Sequence, residues 1–271
     1  MQFKYRKKIL AIRHALAAFG SKSIELFREA GGISILFAKT LYSMATAAWR
    51  RSHIMDQMNK IGVTSLPLVL LTALFTGMVL ALQSAYQLRT FNAVRYTAGL
   101  VSLSIIRELG PVLTAMVVAG RVGASITAEL GTMKVTEQID ALVSLGTDPI
   151  KYLVVPRFIA AVLMLPLLTV YADFIGMFGG YIVAVLKLDI GSSLYIRDSF
   201  DVLIFKDVFT GLIKSFAFGA IIAIVGCYQG FRTSGGAEGV GKATTISVVT
   251  SLVLIIASDC FFTAIFYFVF P

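Results

Sequence analysis

The chain has 271 residues, 57% of them hydrophobic and 14% charged, and a mean hydropathy of +0.84. Soluble domains run at about 45–50% apolar and about 25% charged, so composition excludes an ordinary soluble enzyme and points to an integral membrane protein. The net charge is +9, but residues 1–60 hold eleven Lys or Arg against three acids, so +8 lies there. That predicts a basic segment on the cytoplasmic side, against anionic lipid, and with no aromatic–basic module it does not read as a nucleic-acid surface.

Met1–Ser23 has a basic start and an Ala-rich middle, but Arg13 and His14 interrupt the apolar run that a signal peptide needs. An uncleaved amphipathic helix is the expectation. Residues 31–49 are apolar enough to span, yet Lys39 sits in their middle. On a helix Ile33, Leu36, Phe37, Leu41, Met44 and Ala48 share one face, while Lys39, Ser43 and Thr46 take the other. This predicts an interfacial helix lying in the membrane plane. Were it to span, the seven basic residues of 1–30 would lie outside, against the positive-inside trend.

Five spans follow: Ile61–Leu88, Tyr96–Gly120, Phe158–Leu186, Val208–Phe231 and Ala243–Phe270. Each reaches the roughly 20 residues that cross a bilayer core, and only the first is free of charge. The fold class is therefore all-α, with an N-terminal segment (1–60) and a membrane domain (61–271). With the N-terminus cytoplasmic, the connector Arg121–Arg157 and a Gly-rich loop, Arg232–Lys242, are also cytoplasmic, and the C-terminus is periplasmic. Small residues recur every fourth position in Ala73, Gly77, Ala81 and Ala85, in Gly176 and Gly180, and in Gly211, Ser215, Gly219 and Ala223. Such stripes let helix backbones approach closely in lipid.

The charges inside the spans are the candidate functional groups, because ionisable residues there are costly. Arg107 and Glu108 are adjacent, so on a helix they diverge by about 100° and each needs its own partner or a cavity. Pro111 removes the donor that would bond the Arg107 carbonyl. Lys214 is read as snorkelling, and Asp173 and Asp259 as structural hydrogen-bonding residues. Cys227 and Cys260 read as free core thiols, and His14 and His53 are too isolated for a metal site. The run Gly236–Lys242 fits G-x-x-x-x-G-K, but Ala243 stands where a magnesium-binding hydroxyl is required and no strand precedes it. No nucleotide site is expected, and ATP with its magnesium belongs to another chain. In the connector, Val135–Leu145 reads as an amphipathic coupling helix. Val135, Ile139, Leu142 and Val143 lie on one face, Glu137, Asp140 and Ser144 on the other, and Gly146 and Pro149 end it.

Several blocks resemble the MlaE family of ABC-transporter permeases: Leu103–Pro111, Ala119–Ala124, Thr127–Met133, Thr136–Leu142, Gly146–Pro149, Pro156-Arg157, Leu165–Val170 and Ser234–Thr245. The resemblance covers about residues 60–271. It implies a homodimeric permease moving phospholipid between the inner and outer membranes. The implied partners are an MlaF-like cytoplasmic ABC ATPase, an MlaD-like periplasmic MCE protein and, in many cases, an MlaB-like STAS subunit. The location it implies is a bacterial inner membrane. It also implies lipid contacts at Leu80, Leu88, Phe91, Arg107 and Glu108, with ATPase coupling through Glu137, Asp140, Leu142 and Gly146. Phe91 stands where some relatives carry tyrosine, which leaves an apolar contact there. The alternative is an ion-coupled secondary transporter using Asp173, Asp259 and Glu108 as proton carriers, but the internal repeat such folds show is not found.

Overall fold

In lipid every backbone polar group must be satisfied within the segment, so an apolar chain without barrel patterning folds as helices. The computed structural model describes residues 20, 24, 25, 27–45 and 51–269, and these hold helices and no strand. In chain order they are α1 (27–45), α2 (Arg51–Ile61), α3 (Leu66–Arg89), α4 (Thr97–Ser104), α5 (Gly110–Val118), α6 (Ala124–Val135), α7 (Gln138–Ser144), α8 (Val155–Lys187), α9 (Ser192–Asp201), α10 (Phe205–Phe231) and α11 (Gly236–Val269). Two π turns, Ile105–Leu109 and Ala119–Gly123, weld α4, α5 and α6 into one long helix, and a third, Ile150–Val154, leads into α8.

Among the described residues five helices are long and apolar enough to cross a membrane: Arg51–Arg89, Val94–Val135, Ile150–Lys187, Phe205–Phe231 and Gly236–Phe268. The count agrees with the sequence reading, and the ends do not. The second helix runs to Val135, so the connector shrinks to 136–149, and the Gly-rich loop shrinks to 232–235. Hydropathy marks where lipid is, whereas a helix continues into water wherever its own hydrogen bonds remain closed. The G-x-x-x-x-G-K run accordingly occupies the first turns of α11.

The small-residue stripes are spent inside this one chain. A Cβ on Gly77 would overlap the Gly176 carbonyl, one on Gly179 the Leu74 carbonyl, and one on Gly219 would come within 2.7 Å of the Ala161 carbonyl. These contacts clamp α3 and α10 to α8, which is mostly buried, whereas α11 is mostly exposed. Ser215 adds hydrogen bonds to Thr169 (3.0 Å) and to the Gly211 carbonyl.

α1 packs on α8 with Phe37 and Phe158 ring centroids 6.0 Å apart. Its buried positions are Leu36, Thr40 and Ser43, while Leu41 is exposed, so the inward face is rotated from the expected one. Hydroxyl residues tolerate burial on a helix by bonding a carbonyl one turn back, as Thr40 does to Leu36 at 2.7 Å. Thr46, Ala48 and, Gly20 apart, the Met1–Ser23 helix lie outside the described residues. Cys227 is a buried thiol as expected, but Cys260 is exposed on α11, because that helix has few neighbours within the chain. His53 meets the Tyr152 ring edge-on at 5.2 Å.

Candidate functional site

The site is built on the first π turn. There the Gly110 N–H reaches back to the Ile105 carbonyl, five residues away, and the widened turn is followed at once by Pro111, which has no N–H. The Arg107 carbonyl then finds its donor on another helix: Lys214 Nζ on α10, at 3.2 Å. α10 comes this close because Gly211 faces the π turn, where a Cβ would overlap the Ile106 carbonyl.

Lys214 is 2% exposed. Besides the Arg107 carbonyl it meets Glu108 Oε2 at 2.7 Å, Thr263 Oγ1 at 2.7 Å and Asp259 Oδ1 at 3.0 Å. The Thr263 hydroxyl in turn donates to Glu108 Oε1 at 3.0 Å. The expected snorkelling of Lys214 is thus corrected. An ammonium ten residues into α10 is too deep to reach the surface, and three oxygen-bearing side chains together with the orphaned carbonyl solvate it in place. A buried cation persists only with such a full set of partners.

Arg107 turns the other way. Its Nε and Nη2 meet Asp207 Oδ1 at 2.7 and 2.6 Å, and Asp207 Oδ2 accepts the Ile204 N–H that opens α10. The Asp207 side chain is 3% exposed and that of Arg107 is 51% exposed. The carboxylate is the fixed half of the pair, and the guanidinium keeps an open face. That face looks into a cavity of about 330 Å³ lined by Arg107, Glu108, Lys206, Asp207, Thr210, Lys214, Thr263, Phe266 and Tyr267. Charged walls on two spans and aromatic walls on a third suit a ligand with a charged head and apolar body.

The expected lipid contacts separate. Arg107 and Glu108 line this cavity, whereas Leu80 and Leu88 lie half-buried on α3 and Phe91 is exposed just beyond it, and none of these three lines that cavity. Asp173 stands apart from the Lys214 cluster. Its Oδ1 has no hydrogen-bond partner and presses on Gly110, where a Cβ would overlap it. Asp207, Thr263 and the aromatics of α11 were not singled out from sequence. The only available hint was the seven-residue spacing of Asp207 and Lys214, two turns on one helix face.

A helix stands where the sequence predicts one between the second and third spans, but it is shorter than expected: α7 is Gln138–Ser144, and Val135 closes α6. Glu137 makes the corner between them with φ +61°, and Gly146 closes α7 with φ +73°, which costs glycine nothing. Ile139 is buried and Leu142 half-buried, but Val143 is exposed, and so is Leu145 at 80%. Val143 therefore leaves the inward face where the sequence placed it, because a helix of seven residues buries too narrow a stripe to cover it. Asp140 pairs with Lys134 through both oxygens at 3.0 Å. An exposed tip with two large apolar residues between acidic ones has the anatomy of a partner contact.

Against known proteins, the family profile described as Permease MlaE matches residues 54–265. A protein of Rickettsia bellii (strain RML369-C), named probable ABC transporter permease protein, is 47% identical over 250 residues, covering 92% of this chain and 96% of the relative. Another from Synechocystis sp., probable ABC transporter permease protein slr1045, is 43% identical over 249 residues, 92% of each chain. One from Porphyra purpurea, probable ABC transporter permease protein ycf63, is 41% identical over 217 residues, covering 80% and 82%.

Proposed function

The chain belongs to the MlaE permease family, and on that premise we propose that it is the non-catalytic membrane subunit of an ABC transporter whose cargo is phospholipid. The observation that carries the cargo is the Arg107 guanidinium, fixed by a buried carboxylate on one side and open to a 330 Å³ cavity on the other. A head-group phosphate fits that open face through charge-assisted bonds. Phe266 and Tyr267 offer apolar wall beside it, and the acyl chains continue toward Leu80 and Leu88 on α3 and Phe91 just beyond it, where two copies of the chain meet. Lys214 holds the π turn that carries Arg107 and Glu108 in register with α10 and α11, so the site moves as one body when the bundle moves.

Energy enters at the other end. A separate cytoplasmic ATPase binds ATP and magnesium and docks on α7, where Val143 and Leu145 supply apolar contact and Glu137 and Asp140 supply charge. Gly146 lets α7 turn back toward α8. A periplasmic MCE protein receives or delivers the lipid, and a STAS subunit is a further partner of the ATPase. The N-terminus is cytoplasmic and the C-terminus periplasmic, in a bacterial inner membrane.

The test is ATP-dependent transfer of a fluorescent phospholipid by the complex co-expressed with its ATPase. Losing one charge-assisted contact is worth about tenfold or more, so Arg107→Ala is expected to slow transfer by at least that factor while the ATPase stays bound. Unchanged transfer by that variant would exclude Arg107 as the head-group contact. Charge reversal at both Glu137 and Asp140 is expected to release the ATPase. If it stays bound and coupled, α7 is not the docking element.

A further inference from the structure

The second π turn, Ala119–Gly123, carries Arg121, and among the described residues hydroxyls rather than a carboxylate hold this arginine. Its Nη1 donates to Thr64 Oγ1 at 3.0 Å and to Ser65 Oγ at 2.8 Å, where a short 3₁₀ turn bends the chain from α2 into α3. Below it lies a cavity of about 150 Å³ lined by Gln57, Lys60, Ile61, Arg121, Val122, Ser125, Ile126 and Glu129. Glu129 is the acid of this group and it is already engaged twice, by Lys60 at 3.4 Å and by Arg157 at 2.9 Å. Arg157 is itself buried, its Nη1 on the Leu153 carbonyl and its Nε without a partner. The lining thus holds two cations, Lys60 and Arg121, against one carboxylate whose charge Arg157 behind it already answers, so the hollow is left net positive.

We propose that this hollow is a second anion site, which takes the phosphate of a lipid head group from the leaflet on the α7 side of the membrane. The chemistry is that of a phosphate clamp. Arg121 presents the unengaged edge of a guanidinium already oriented by two hydroxyls, Lys60 adds a mobile ammonium, and Gln57 and Ser125 add neutral donors. Its depth fits: Arg121 is level with Thr64 and Ser65, immediately before α3 enters its apolar run, which is where head groups lie. A basic pocket between membrane helices on that side is a setting in which anionic lipid binds. The site lies fourteen residues along the helix from Arg107 and shares no lining residue with that cavity. It requires only that the chain lie in a membrane, not that its cargo be phospholipid, so the two readings fail separately.

The experiment uses the full chain in detergent micelles and a phosphatidylglycerol probe carrying a photoreactive group beside its glycerol, with adducts mapped by peptide. Adducts are expected on the peptides around Gln57–Ser65 and Arg121–Glu129. Each cation near a membrane surface is worth about fivefold in anionic-lipid affinity. Lys60→Gln is therefore expected to lower this labelling about fivefold, and Ser125→Glu to abolish most of it. Both are exposed positions, so folding is not at stake, and labelling is normalised to the amount of intact chain recovered from each sample. A diacylglycerol probe with the same reactive group, lacking only phosphate, is expected to leave these peptides unlabelled. Competition by inorganic phosphate alone, without competition by unlabelled phosphatidylglycerol, would assign the site to free phosphate and overturn the lipid source. Labelling that is indifferent to Lys60→Gln and Ser125→Glu, or equal with diacylglycerol, would overturn the site.

Discussion

One helix carries two π turns, and each turn carries an arginine. Arg107 is met by the buried carboxylate of Asp207, and its neighbour Glu108 by the buried Lys214, so the α9 end of the helix is a lock in which each of these charges has its opposite. Among the described residues Arg121 is met by two hydroxyls, beside a carboxylate shared by two other cations, so the α7 end is a half-filled clamp. The same backbone device therefore serves two purposes. A π turn pushes one side chain out of helical register, and what the neighbouring helices supply decides whether it becomes structural or receptive. At the first turn three helices converge with three acids. At the second the facing residues are hydroxyls, an amide, the Lys60 ammonium and one acid.

The largest difference between the two ends is expected in stability. Lys214→Met removes the cation that solvates Glu108, Asp259 and the Arg107 carbonyl together. Removing one member of a buried ionic group costs about 3–5 kcal/mol. The expected result is a chain that fails to assemble, or whose thermal midpoint in detergent collapses; a midpoint within a degree or two of the parent would show that the lock is not structural. Replacing Lys214, Glu108 and Asp259 together by apolar residues of similar size is expected to recover much of that loss, because no charge is then left unpaired.

Next comes Glu129→Ala, which separates the two ends most sharply because its two effects oppose. Arg157 is nearly buried and would lose the carboxylate it pairs with, a cost of about 2 kcal/mol. The same change raises the surplus at the α7 end by one positive charge, so anionic-lipid labelling there is expected to rise about fivefold. Loss of stability together with loss of labelling would mean that Glu129 shapes the hollow rather than restraining its charge.

Which of this was legible in the residues follows from the same contrast. Five spans, the polar character of Arg107 and Glu108 and the effect of Pro111 on the Arg107 carbonyl were readable, since each depends on local composition or on a bond one residue cannot make. What could not be read is who answers. Asp207, Lys214 and Thr263 lie about 100 or more positions further along the chain, and only the approach permitted by Gly211 brings them in. Lys214 was misread for that reason: alone on its helix a lysine in lipid has nowhere to go but the surface. The π turns are likewise invisible to a periodicity of 3.6, because one extra residue shifts every face beyond it. The rotated face of α1 and the outward Val143 are smaller errors of the same kind, in which packing against α8 or the shortness of α7 overrode the apolar pattern.

The smallest expected effect is the one that isolates the clamp. Lys60 pairs with Glu129 at 3.4 Å, but its side chain is 59% exposed, and exposed pairs are worth about 0–1 kcal/mol. Lys60→Gln leaves the Glu129–Arg157 pair and the Arg121 hydroxyl contacts untouched, so the thermal midpoint is expected to stay nearly still while labelling by the anionic probe falls. At Lys214 the ordering reverses, since stability goes first and any lipid effect follows from it. A cation whose removal changes ligand capture without changing the fold is one the bundle does not need for itself. If Lys60→Gln instead lowers the midpoint as far as Glu129→Ala does, the α7 end is a second structural lock, and the two π turns differ in degree rather than in kind.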